Sequence, residues 1–416
     1  MTAPIERSAF GPVTAGGRIE AVDIVRGFAL WGVLLVNMWS FTWPFPHLTP
    51  SDPFAEWALI FLFREKSWHL FSFLFGLGFA LQMERASDHG AVFLLRYVRR
   101  LAVLAAFGFL SYAAWRTDIL TNYAELGLAL LLFRRASPRL LLIVASLLLA
   151  AAPINVAVRS MIPSDPEVAA EVAGESSRKR QASFDAKEEL ARVRMTGSVI
   201  AVAIAHARSY GEHADLRSGG LDPDGFLPRF AMMLLGSLAG KRRIFQQFER
   251  HRALIRRVFF WGLPLGLLAM TAVLGIPFVV PPLARGFWGV AAWSYGTTVM
   301  ALSYAAGLVI LVQLQQWKRM LAPLGAMGRM ALTVYLSQSI VFPLLFFGFG
   351  FGQLGRVGSS TVWAYAALMF AANMAFCVWW MKRFRFGPVE WLWRTLSYLR
   401  LQPMRLPRKT EAVAEL

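Results

Sequence analysis

A chain of this length holding a single cysteine cannot staple itself internally, and Cys377 lies inside an apolar run, so neither a disulfide framework nor a redox compartment can be read from it. Charge is scarce too: only 16% of the residues are charged, while 56% are hydrophobic. A soluble fold of 416 residues needs more polar surface than that to stay dissolved. No Walker loop, no Rossmann fingerprint behind a strand and no metal-ligand spacing of His, Cys and carboxylates is present, so those chemistries are not expected. Residues 1–20 lack an apolar core of the signal-peptide kind, so a conventional cleaved leader is not expected either.

What the sequence has instead is apolar length. Ala21 to Trp43 is long enough to cross a bilayer and reads as a signal anchor. Further spans are expected at about 67–84, 98–115, 118–133, 139–160, 226–240, 258–277, 287–314, 328–350 and 361–381. The expected fold class is therefore all-α, a polytopic bundle of about ten transmembrane helices. Residues 1–400 form a single bundle and 401–416 a cytoplasmic tail. The 33 Phe and 15 Trp suit aromatic belts at both interfaces, with the lipid bilayer as the first partner.

The net charge of +18 is explained by where the cations fall. Arg85, Arg96, Arg99 and Arg100, then Arg134, Arg135 and Arg139, then Lys241 to Arg257, then Lys318 and Arg319, all lie in alternate loops. The opposite loops carry scattered cations such as Arg64, Lys66, Arg116, Arg285 and Arg356. This bias predicts both termini in the cytoplasm of a multi-pass bacterial inner-membrane protein, and it needs no nucleic acid partner. The long hydrophilic segment 161–225 is then external. Its first part, with Pro163, Pro166 and Ser176 to Gln181, reads as flexible. Helix formers dominate from Phe184 to His213, as an interfacial helix, a lid over the bundle, or a linker and half-helix.

Ionisable groups inside apolar runs are functional candidates because burying them is costly. Asp23 and Arg26 share a helix face at the start of the first span, either to anchor that end or to meet an anion from the cytoplasm. Asn37, eleven residues on, is an interhelical bond or part of a polar cavity. At the other end lie His47, Lys66, His69, Arg116 and Asp118, the last also a natural helix N-cap, followed by Tyr123 and the mid-span Glu125. A histidine near a carboxylate can activate a hydroxyl as general base, although a loop histidine is more often simply solvated. Arg329, Thr333, Tyr335 and Gln338 form a polar stripe facing the bundle interior. The glycines of Phe75-Gly-Leu-Gly78 and Gly348 to Gly352 read as close helix packing.

Together, Arg18 to Asn37, Leu70 to Gln82, Asp118 to Gly127, Met233 to Gly240, Gly328 to Ser339 and Phe384 to Arg394 resemble the YeiB family of bacterial inner-membrane proteins, whose shared domain has no known function. The resemblance covers nearly the whole chain and implies the helical membrane bundle already read from the spans. A more distant one is to transmembrane acyltransferases, including the lysosomal heparan-glucosaminide acetyltransferase. Bacterial acyltransferases of this kind look like Arg-x10-His in the first helix; here Arg26 matches, but Asn37 stands where the histidine belongs. The lysosomal kind resembles Asp23-x-x-Arg26-Gly27 followed by Val36-Asn37, with its histidine in the loop beyond, where His47 falls.

The resemblance implies an acyltransferase-like protein moving an acyl group from a cytoplasmic acyl-CoA to an outward-facing small-molecule, lipid or glycan acceptor, with no bound cofactor. Arg26 would hold the donor and Asp23 orient it. His47 or His69 would be the base, oriented by Asp118, with Asn37, Tyr123, Glu125, Arg329 and Gln338 toward the substrates. The rival expectation is a transporter or lipid-handling protein with Glu125 as a proton-coupled group. The sequence assigns no oligomeric state.

Overall fold

The computed structural model describes residues 19–41, 52–85, 90–115, 118–161, 166–217, 225–279 and 282–406. In chain order the helices are α1 (Glu20–Trp39), α2 (Pro53–Leu62), α3 (Lys66–Arg85), α4 (Gly90–Trp115), α5 (Leu120–Leu130), α6 (Pro138–Met161), α7 (Pro166–Thr196) and α8 (Val199–Arg217). They continue with α9 (Phe226–Lys241), α10 (Phe248–Val279), α11 (Pro282–Val312), α12 (Gln315–Arg329), α13 (Ala331–Phe346), α14 (Ser359–Met381) and α15 (Pro388–Tyr398). Among the described residues there is no strand beyond one isolated bridge, Phe384 to Arg405. The fold is all-α, as the apolar pattern requires.

Nine of the ten apolar stretches fall on single helices, and the expected span 328–350 instead straddles the break between α12 and α13. Among the described residues, five helices are long and apolar enough to cross a membrane: α1, α6, α10 over Phe248–Ile276, α11 over Gly286–Val312, and α14. The pair α12 and α13 qualifies together as a sixth, but it bends by 72° at Met330. Helices α5 and α9 are short, α3 is polar at both ends, and α4 carries Arg96, Arg99 and Arg100 in its first half, so composition alone does not make spans of them.

Helix α1 is apolar almost all round and is accordingly buried almost all round, the axis on which the bundle is built. By contrast α6, α10 and α14 present Leu142, Ile143, Leu147, Trp261, Leu265, Leu268 and Leu368 outward. Such apolar outer faces are stable against hydrocarbon and costly against water.

Small residues set the closest crossings. A Cβ added at Gly27 would meet the Leu324 carbonyl oxygen at 2.0 Å, and one at Gly328 the Asp23 carbonyl oxygen at 1.8 Å, so α12 lies backbone to backbone on α1. Gly76 and Gly236 do the same between α3 and α9, facing the Met233 and Phe73 carbonyls at 1.8 and 1.9 Å.

The hydrophilic segment departs from expectation. It is helical from Pro166, as α7 and then α8, rather than flexible up to Phe184; the Ala- and Glu-rich run after Pro166 favours helix. Its hinge docks on the bundle. Gly348 N–H donates to the Arg194 carbonyl at 2.8 Å, and the Arg194 guanidinium lies over the rings of Phe41 and Phe347. His206 is fully buried, takes the Arg194 Nε–H on Nε2 at 3.1 Å and donates from Nδ1 to the Ala113 carbonyl at 3.1 Å.

Candidate functional site

One end of the bundle opens into a cavity of about 480 Å³, walled by α1, α3, α4, α5, the α12–α13 bend and α15. Five arginines reach it, each from a separate local cause. Arg26 comes from the first turns of α1, Arg96 and Arg100 from successive turns of α4, Arg329 from the last residue of α12, and Arg394 from α15. Two carboxylates, Asp23 and Glu390, line the same space.

Arg26 is held rather than free to sweep. Its Nη1 donates to Asp23 Oδ1 at 2.9 Å, one helical turn back, and to the Gly328 carbonyl at 3.2 Å. Arg100 bonds to Gln82 of α3 and stacks on Trp393, 4.6 Å from the ring centre, while the Trp393 indole donates to the Arg100 carbonyl at 3.1 Å. Arg394 lies 4.6 Å over the Phe386 ring. Planar guanidinium groups fixed in this way suit phosphate or carboxylate recognition.

Glu390 explains the bend. One carboxylate oxygen accepts from the backbone N–H of Leu332 at 2.7 Å and of Thr333 at 2.9 Å; the other accepts from the Thr333 hydroxyl at 2.5 Å. It therefore caps the start of α13, where the chain has turned away from α12 and the first N–H groups have no partner within the helix. The helix start and the arginines make this end of the cavity strongly electropositive. Burial pushes the Glu390 carboxyl above its ordinary range, opposed by the hydrogen bonds from Thr333 and Leu332.

Deeper in, the walls turn apolar. Val33, Leu74, Phe75, Phe79, Leu104 and Leu120 line the chamber, and Tyr123 and Tyr335 stand among them. The Tyr123 hydroxyl donates to the Trp68 carbonyl at 3.1 Å, and the Tyr335 hydroxyl accepts from the Ile119 N–H at 3.3 Å. A cationic mouth over an apolar chamber fits an amphiphile: phosphate or carboxylate at the mouth, a slender apolar part within.

Of the residues singled out in the sequence, Asp23, Arg26, Tyr123 and Arg329 line this cavity. Asn37 and Gln338 do not, but meet each other behind it: Asn37 Nδ2 donates to Gln338 Oε1 at 2.9 Å, both fully enclosed. Asp118 acts as the helix cap, accepting the Thr121 N–H at 2.9 Å, and Glu125 faces outward from α5 instead of into the cavity. His47 lies outside the described residues. His69 is buried near Lys66, Arg229 and the Thr297 backbone, and it is not part of the cavity wall. The structure therefore does not bring His69 and Asp118 together.

Sequence reasoning missed Arg394, Glu390 and Trp393 as site residues, and it took Arg96 and Arg100 only as loop charge. The signal was present: an acidic residue and an arginine four apart in the Phe384 to Arg394 motif, spaced as one helix face.

Comparison with known proteins finds uncharacterized relatives along nearly the whole chain. The family described as protein of unknown function (DUF418) matches residues 239–400, which include α12, α13 and α15. The chain is 31% identical to the uncharacterized protein YxaH of Bacillus subtilis over 95% of this chain and 98% of that one. It is 28% identical to an uncharacterized 39.9 kDa protein of Bacillus acidopullulyticus, over 96% and 99%. With the uncharacterized protein YeiB of Escherichia coli the identity is 27%, over 91% and 96%.

Proposed function

Because the chain belongs to the YxaH and YeiB family of helical membrane proteins carrying DUF418, we propose that it is a membrane-embedded acyltransferase-like protein of the bacterial inner membrane. It takes an acyl group from a cytoplasmic acyl-CoA and gives it to an outward-facing hydroxyl or amine. The observation that carries this reading is the convergence of five arginines over an apolar chamber in one cavity.

With the positive-inside orientation, the arginine end faces the cytoplasm and the termini lie there too. Arg26, Arg96, Arg100, Arg329 and Arg394 hold the donor's phosphates, Asp23 fixing Arg26. The donor's arm runs along the chamber toward Tyr123, Tyr335 and the Asn37–Gln338 pair. In the transfer, the acceptor oxygen or nitrogen bonds to the thioester carbonyl carbon and a base takes its proton. The C–S bond then breaks, and the CoA thiolate leaves and is protonated. His47 is the leading base; His69 would have to gain access from its buried position.

Release of CoA from acetyl-CoA and longer acyl-CoAs by the purified protein in nanodiscs tests this, with His47→Ala and His69→Ala in parallel. Turnover lost in one variant identifies the base. Well-folded protein that binds but never turns over any donor, with candidate acceptors present, rejects the enzyme. The rival, a lipid-handling transporter, then predicts flux that depends on a proton gradient and on Glu125.

A further inference from the structure

Helix α3 contains two glycines two residues apart, and they face opposite things. Gly76 packs against α9 so tightly that a Cβ there would stand 1.8 Å from the Met233 carbonyl oxygen. Its lack of a side chain is fully accounted for by helix packing. Gly78 has no such reason. A Cβ there would meet nothing closer than its own helix neighbour, the Gln82 amide nitrogen at 4.0 Å. It is half-buried, and it lines the cavity.

A glycine inside a helix is destabilising relative to alanine, so one without a packing cause calls for another. The cavity face of α3 runs Phe71, Leu74, Phe75, Gly78, Phe79, Leu81 and Gln82. Gly78 is the one gap in a row of large side chains. Gln82, a turn above it, belongs to the arginine mouth through its bond to Arg100. Phe75 and Phe71, a turn and two turns below, belong to the apolar chamber. Gly78 thus stands at the neck between the two. From Gly78 down to Phe71 the chamber extends about 10 Å along the helix.

We propose that Gly78 sets the bore of a passage through which a phosphate-headed ligand threads its slender arm from the arginine mouth into the chamber. The inference rests on the donor reading above, in which the arm is pantetheine, but its geometry holds for any such arm, a hydrocarbon included.

The experiment measures binding to the full chain in nanodiscs, wild type beside Gly78→Leu, with Gly78→Ala to show that an added side chain leaves the helix intact. The probes are CoA, dodecyl phosphate and an armless head, adenosine 3′,5′-bisphosphate. Partition of dodecyl phosphate into nanodisc lipid is common to all the proteins, so the difference between them reports the passage.

The expected result is that wild type binds an armed probe about tenfold tighter, or more, than the armless head. Gly78→Leu should erase that gain and leave the armless head within about twofold of wild type. If Gly78→Leu weakens the armless head as much as the armed probes, Gly78 belongs to the mouth and the proposal falls. It also falls if the variant binds every probe as wild type does. If dodecyl phosphate shows the effect and CoA does not, the passage stands and the acyl-CoA reading fails. If CoA shows it but no acyl ester is ever turned over, the passage stands and the transfer fails.

Discussion

Asn37 and Gln338, 301 positions apart in the chain, close a side-chain hydrogen bond of 2.9 Å in the interior of the bundle. The bond ties the far half of α1 to α13 beyond the bend, where both helices run away from the arginine mouth. Gln338 Nε2 has no hydrogen-bond partner among the described residues, so this corner retains an unused donor.

Removing one partner should therefore cost more than removing both. Asn37→Ala or Gln338→Ala leaves a buried amide unsatisfied, at about 1–3 kcal/mol. The double variant Asn37→Leu with Gln338→Leu should unfold closer to wild type than either single leucine variant does. Thermal unfolding in one detergent across this cycle measures the coupling. Additive losses would show that the two amides do not depend on each other.

Glu390 carries a pH signature. Burial raises its carboxyl pKa above the unfolded value, so the folded state binds that proton more tightly than the unfolded state. The stabilising contribution is then fully present at low pH and is lost as pH climbs from the ordinary carboxylate range through the raised native value. Plotted as wild type minus Glu390→Gln, the melting temperature should fall across that window and level off above it. A difference that rises with pH instead would mean that the three hydrogen bonds and the start of α13 outweigh burial.

That cap also marks where the sequence stopped being informative. The apolar run through Met330 reads as one span, because the cause of the bend is a carboxylate 58 positions after Leu332. The helices themselves were legible, since a run of apolar residues must find hydrocarbon or core whichever neighbours it meets. The cavity was legible only in part. Asp23, Arg26 and Arg329 stood out because they interrupt or flank apolar runs, whereas Arg96 and Arg100 looked like ordinary interfacial charge. Their convergence depends on how α4 and α15 pack, which no local pattern encodes. Glu125 is the opposite case: α5 is only 11 residues long, so a carboxylate in its middle can reach the outer surface. Gly76 and Gly78 look identical in sequence and differ only in what each faces.

The hinge of α7 and α8 depends on a neutral imidazole. His206 Nε2 accepts from Arg194, so the ring proton sits on Nδ1 and points to the Ala113 carbonyl. His206→Ala should strip both bonds and leave Arg194 without that acceptor, loosening α8 from α4. Hydrogen exchange along α8 should rise by about tenfold or more if that local unit loses 1.4 kcal/mol or more, while exchange in α1 stays as in wild type. Equal acceleration in both helices would show that the hinge is part of the global fold and not a docked cover.

The arginine mouth should behave as a cluster of separable charges, because its members arrive from four helices and are held by different partners. Arg394 is the informative one. It sits on α15, whose attachment through Glu390 and Trp393 does not involve the Arg394 side chain. Arg394→Ala should therefore leave the helix docked and remove one positive charge of five facing the cavity. Binding of adenosine 3′,5′-bisphosphate should weaken by roughly 3- to 30-fold, the range for one charge-assisted contact in a partly solvated site. The loss should shrink as salt is raised, since the mouth is open to screening ions. Arg394→Lys restores the charge but not the planar fork over Phe386, so it should recover part of the affinity. If Arg394→Ala binds the anion as wild type does at low salt, that arginine is spent on Phe386 and on fixing α15. The anion site would then reduce to Arg26, Arg96, Arg100 and Arg329.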